Sequence, residues 1–278
     1  MTTANRLQFR ILCGFFLITF ISTSALSAWA LGEDDAAGAT PPEAEAESAS
    51  AISGSLNLDF NTNFMSYGFD VWQRGTFKDQ VFNPSFDLNF DLGDGFNAFL
   101  GTWWDVNNNA STTIGQSIQE VDVWAGVGYT WDIVSVSMTY QEWMYAGDSE
   151  RILDIGIGVD TLLSPTLTIH NRVDGNGGQK KGTVFVLGAS HSIDVGPVTV
   201  GASADLGLVT SGYYVQKNGG FGYFAAGLNG SIPISFIPAQ LGDWSLNGGL
   251  TYYYTDDDNV GNNNDNILTG MAGISLAF

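Results

Sequence analysis

From residue 52 to residue 278 apolar residues recur at every second position in short runs, and helical spacing is not sustained anywhere. A period of two marks a strand with one apolar face. In the last run Leu268, Gly270, Ala272, Ile274, Leu276 and Phe278 alternate with Thr269, Met271, Gly273, Ser275 and Ala277. Further back, Phe86, Leu88, Phe90 and Leu92 oppose Ser85, Asp87, Asn89 and Asp91. Val121, Val123, Ala125 and Val127 oppose Glu120, Asp122, Trp124 and Gly126, while Leu153, Ile155 and Ile157 oppose Asp154, Gly156 and Gly158. Such a chain is predicted to be all-β.

Strands are expected at 54–71, 82–93, 96–105, 119–131, 133–146, 151–162, 165–174, 182–194, 197–210, 221–236, 243–255 and 266–278. Alternation alone fits a soluble sandwich as well as a barrel. The connections separate the two. Every second one is mostly tight: Gly93-Asp94-Gly95, Trp131-Asp132-Ile133, Leu163-Ser164-Pro165, Val195-Gly196-Pro197 and Pro238 to Asp243. The others, 72–81, 106–118, 147–151, 175–182, 211–220 and 256–265, are mostly longer and polar. Short turns on one rim, long loops on the other and an even strand number describe a transmembrane antiparallel barrel of about 12 strands.

The N-terminus fits export to such a place. Arg6 and Arg10 precede the apolar run Ile11–Ile21, and Ala28-Trp29-Ala30 offers a small-x-small cleavage site. Residues 1–30 therefore read as a signal peptide, residues 31–51 as an acidic disordered linker and residues 52–278 as the barrel. The signal holds the lone cysteine, Cys13, so the exported part has no disulfide. It also takes two of the 9 Lys and Arg and none of the 29 Asp and Glu, leaving the rest at a net charge of −22. A nucleic-acid partner, which needs a basic footprint, is excluded on that ground.

Lumen-facing candidates follow from strand parity: Asp87, Asn89, Asp91, Glu120, Asp122, Asp154, Asp160, His170, Arg172 and Asp205. An acidic lumen favours cations. The alternative is a packed wet interior in which Arg172 pairs with one or two acids and nothing passes. Basic residues cluster at the long loops. Arg74, Lys78, Arg151, Lys180, Lys181 and Lys217 are candidates for contact with outer-leaflet lipid phosphate. Aromatic girdles are expected from residues near strand ends, namely Tyr67, Phe69, Trp72, Trp103, Trp104, Tyr129, Trp131, Trp143, Tyr145, Tyr213, Tyr214, Tyr223, Trp244, Tyr252, Tyr253 and Tyr254, with some aromatics such as Trp124 facing inward instead.

The run Asp256-Asp257-Asp258 opens an acidic loop that reads first as solvated surface and second as a calcium-type oxygen cluster, with Asp148, Glu150 and Asp174 in reach across the mouth. No metal and no cofactor are expected. Enzymatic chemistry is not expected either. The two histidines, His170 and His191, form no zinc spacing, there is no Gly-x-Ser-x-Gly elbow, and Ser190 faces away from His191.

Residues 56–72 (LNLDFNTNFMSYGFDVW), the Gln73-Arg74-Gly75 that follows, Asn83-Pro84-Ser85-Phe86 and Gly101-Thr102-Trp103 together resemble the TorF-like family of bacterial outer-membrane barrels. Terminal Phe278 is likewise similar to the last residue of many such barrels. The resemblance implies an outer-membrane location and brings no catalytic residues. It also implies a C-terminal strand, ending in Phe278, that engages the outer-membrane insertion machinery. Two functions stand open: a narrow passive channel for small solutes or cations, and a non-conducting structural or surface-interaction barrel.

Overall fold

The structure is a computed structural model that describes residues 51–109, 114–175, 180–214 and 218–278. The signal-peptide and linker readings and the candidate Lys217 lie outside these residues.

In chain order the strands are β1 (Ile52–Asn61), β2 (Met65–Ser66), β3 (Phe69–Asp70), β4 (Val81–Gly93), β5 (Phe96–Val106), β6 (Ile118–Trp131), β7 (Val134–Met144), β8 (Ser149–Val159), β9 (Thr166–Asp174), β10 (Gly182–Val195), β11 (Val198–Val209), β12 (Gly220–Pro233), β13 (Asp243–Thr255) and β14 (Asn266–Ala277). β1 and β4 to β14 close into a 12-stranded antiparallel barrel in which each strand pairs with its chain neighbours. β1 closes the seam against β14, with Leu56 opposite Leu276, Leu58 opposite Ile274 and Phe60 opposite Ala272. Closure leaves no sheet edge.

The pleat sorts the two faces. Leu100, Val127, Met138, Ile157, Leu187, Leu228, Leu250 and Ile274 are all exposed on the outside, from eight different strands. So much exposed apolar surface is foreign to a soluble monomer. Among the described residues no helix is long and apolar enough to cross a membrane, and a barrel needs none. The tight turns rest on left-handed residues, such as Asp132 (φ 52°) and Gly196 (φ 64°). The β12–β13 connection is longer than expected and carries a 3₁₀ turn at Ala239–Leu241.

Two expectations change. The first strand does not run from 54 to 71. It leaves the wall after Asn61, and residues 62–80 fold into the barrel. The cause is local. Tyr67 (φ 48°) and Gly68 (φ 85°) form the two-residue turn of a small hairpin, β2 against β3. Two successive positive φ angles reverse the chain in the type I′ manner. Phe64 therefore lies in the interior, although it shares the parity of Phe60, which is exposed on the outer face.

The second concerns the girdles. Trp104, Tyr129, Trp131, Tyr252 and Tyr254 do face outward. Tyr67, Phe69, Trp103, Trp143, Tyr145, Tyr213, Tyr214 and Tyr223 are instead buried inside, because the inserted segment gives them something apolar to pack on.

Candidate functional site in the lumen

The interior has two unlike halves. Toward the tight-turn rim, inward positions are small or polar: Asn57, Asn89, Asn97, Gly126, Gly128, Ser135, Ser137, Gly156, Gly158 and Asn229. Larger side chains there lie along the wall. A Cβ added to Gly101 would stand 2.5 Å from the Trp124 indole, one on Gly126 2.3 Å from the Phe99 ring, and one on Gly128 2.3 Å from Asn97 Oδ1. Each glycine is thus the bed on which a neighbouring strand's side chain lies flat, and the space along the axis stays free of it. Half-buried carboxylates enter this lining from β1 (Asp59), β4 (Asp87) and β11 (Asp205).

Toward the long-loop rim the interior is filled. Phe64, Phe69, Trp143, Ile152, Val184 and Tyr213 are all fully buried. The Phe64 ring packs 5.0 Å from that of Trp103, and the Tyr67 ring 3.9 Å from His170. Full burial contributes about 2 kcal/mol for each of Phe64 and Phe69.

Polar contacts pin the segment further. The Tyr67 hydroxyl is hydrogen-bonded to His170 Nδ1, and the Tyr214 hydroxyl donates to the Tyr67 carbonyl. Asn262 clamps the hairpin by accepting from Asp70 N–H at 2.8 Å and donating to the Gly68 carbonyl at 2.7 Å. Trp72 Nε1 donates to Asp105. At the base, Thr62 N–H donates to Gly270 and Asp79 N–H to Thr62.

The predicted lumen residues separate by depth. Glu120, Asp122, Asp154, His170 and Arg172 come together in the sealed half, all buried. Arg172 Nε donates to Glu150 at 2.7 Å, its Nη1 donates to the Tyr213 carbonyl, and its Cζ sits 4.0 Å over the Tyr213 ring. Asp154 accepts from Gln141 at 2.6 Å, and its Oδ1 lies 2.8 Å from His170 Nδ1. The Tyr67 hydroxyl and Asp154 Oδ1 thus converge on the same imidazole nitrogen. Asp87 and Asp205 are half-buried in the lower lining, and Asn89 accepts there from Asn97 at 2.6 Å. Asp91 and Asp160 sit exposed at the tight-turn rim, where Asp91 accepts from Gly93 N–H.

Glu150 does not join the acidic loop. It is buried against Arg172, and Asp174 pairs with Arg151 at 3.1 Å. Asp256, Asp257 and Asp258 gather their carboxylates within 4.8 Å of one another, the last two exposed. Of the basic rim, Arg74, Lys78, Lys180 and Lys181 are exposed, while Arg151 is engaged with Asp174 and Glu142. Ser190 and His191 take opposite faces of β10, His191 exposed.

Asp59, Asp105 and the inward role of Tyr67 were not among the expected site residues. Asp59 shares the parity of Asn57 and Asn61, a signal that was present. Tyr67 had none, because its placement depends on the chain reversal.

No family model and no curated protein matches this chain. Solved structures of similar shape are outer-membrane proteins. An outer membrane channel from Pseudomonas putida F1 is 12% identical, with 87% of this chain and 100% of that one covered and a TM-score of 0.47. The NanC porin is 12% identical over 80% and 98%, with a TM-score of 0.46. The outer membrane phospholipase A of Escherichia coli is 13% identical over 81% and 92%, with a TM-score of 0.43.

Proposed function

We propose that this protein is a narrow outer-membrane channel for small cations, shut in its resting state by residues 62–80. The observation that carries the reading is the contrast between the two halves of the interior. One half has a polar, glycine-bedded wall bearing Asp59, Asp87 and Asp205. The other is blocked, in large part by a single continuous segment. Acidic side chains lining a pore attract cations and repel anions. The outer apolar belt supports membrane insertion. The exposure of Arg74, Lys78, Lys180 and Lys181 at the long-loop rim supports contact with lipid phosphates there. The strand ending in Phe278 is the segment that the insertion machinery would engage.

Planar bilayers with a KCl gradient test this. A barrel in which 64–78 is replaced by a short Gly-Ser linker should show a reversal potential on the potassium side. Asp59→Asn, Asp87→Asn and Asp205→Asn together should move it toward zero. Anion preference, or a potential unmoved by the three changes, contradicts the cation reading. A second reading, a non-conducting barrel, is favoured by the complete burial of Phe64, Phe69 and Trp143. It predicts silence even from the shortened barrel.

A further inference from the structure

Glu120 and Asp122 project side by side from β6 into the sealed half, both buried. Glu120 lies opposite Asp105 of β5, and Asp122 lies between Trp103 of β5 and Trp143 of β7. The two carboxyl groups are within hydrogen-bond reach of each other.

Their surroundings set them apart from the other buried acids. Asp105 accepts from Asn107 Nδ2 at 2.8 Å on both oxygens and from Trp72 Nε1 at 3.2 Å. Glu150 has the Arg172 guanidinium, and Asp154 has Gln141. By contrast, no N–H or O–H among the described residues reaches either oxygen of Glu120 or Oδ1 of Asp122. The nearby carboxylates Asp105 and Glu150 add negative potential where a positive one is wanted. Buried carboxylates are sustained by donors, a counter-charge or a metal. Among the described residues no amide, hydroxyl or cationic side chain hydrogen-bonds these three oxygens, which leaves a metal or a proton shared between the two carboxyl groups.

We propose that Glu120 and Asp122 bind a divalent cation of the calcium class inside the barrel wall. Two carboxylates offer up to four hard oxygen ligands, and calcium tolerates irregular geometry with water completing the shell. A cation there would brace β6 beside Trp103, the residue on which Phe64 of the inserted segment packs.

The full-length protein, folded in detergent micelles and stripped with EDTA, is titrated with terbium and excited through tryptophan. Trp103 and Trp143 flank the site, so bound terbium should luminesce and calcium should displace it. The signal should persist in Asp257→Asn/Asp258→Asn, which weakens the exposed loop cluster, and fall at least tenfold in Glu120→Gln/Asp122→Asn. Absent luminescence, or a signal that follows the loop variant instead, overturns the proposal and leaves a shared proton between the two carboxyl groups. If the wall variant does not fold, the loop variant alone decides. Calcium should raise its melting midpoint, and no rise overturns the site.

Discussion

Tyr67 holds a backbone conformation that side chains with a Cβ seldom adopt, and it does so at the tip of the segment that fills the barrel. Its ring and hydroxyl fix it against His170, and its carbonyl is held by Tyr214. The next residue has no room for a side chain at all. A Cβ on Gly68 would stand 2.5 Å from the Tyr223 ring, at a φ of +85°. Gly68→Ala should therefore unseat the hairpin, at a cost of about 1–2 kcal/mol from the left-handed backbone alone. Single-channel recording should show openings at least several-fold more frequent than in the unmodified protein. An unchanged opening frequency would mean that the hairpin is not the gate.

Asp70 adds a pH dependence at the same place. Burial pushes its carboxyl up from the usual value, against the Gly75 N–H and Asn63, which favour the ionised form; the charge of Asp79 pushes it further up. A carboxyl whose seated pKa is raised binds its proton more tightly seated than released. As pH climbs past about 4, the ordinary value, the released segment loses its proton first. Seating should weaken from there up to the raised value. Opening frequency should rise as pH climbs above about 4 toward the raised value, and Asp70→Asn should flatten the profile. A frequency that falls over that range contradicts the assignment.

At the scale of elements, the barrel strands were largely legible, and the reason is mechanical. A strand in a wall between lipid and lumen must alternate, so β6 was expected at 119–131 and runs Ile118–Trp131. The same parity put Asp122 and Asp154 inside. What alternation does not register is a strand leaving the wall. Ser66-Tyr67-Gly68-Phe69 keeps the local texture of a strand while its backbone reverses. The inward aromatics were missed for the same reason, since a ring near a strand end looks alike whether it meets lipid or a plug.

The outer belt makes its own prediction. Leu228 is 64% exposed on the outer face near the middle of β12. Leu228→Arg should destabilise the folded barrel by about 2–4 kcal/mol if that face meets the bilayer core. Denaturant titration in lipid vesicles measures it. A cost near zero would place the belt outside the membrane.

At the scale of the whole molecule, the closed wall and the inserted segment divide the work. The wall satisfies its backbone within itself and turns an apolar surface outward. The segment between β1 and β4 then decides whether the enclosed space is continuous. Its tip hangs mostly on side-chain contacts to His170, Tyr214 and Asn262, so its removal leaves the barrel ladder whole. The most direct measurement is unitary conductance in a planar bilayer, with the intact protein beside the version in which 64–78 is a short linker. The intact barrel should stay closed apart from brief openings, and the shortened one should conduct steadily. A shortened barrel that keeps the heat-modifiable mobility of a folded barrel yet passes no current would contradict the account.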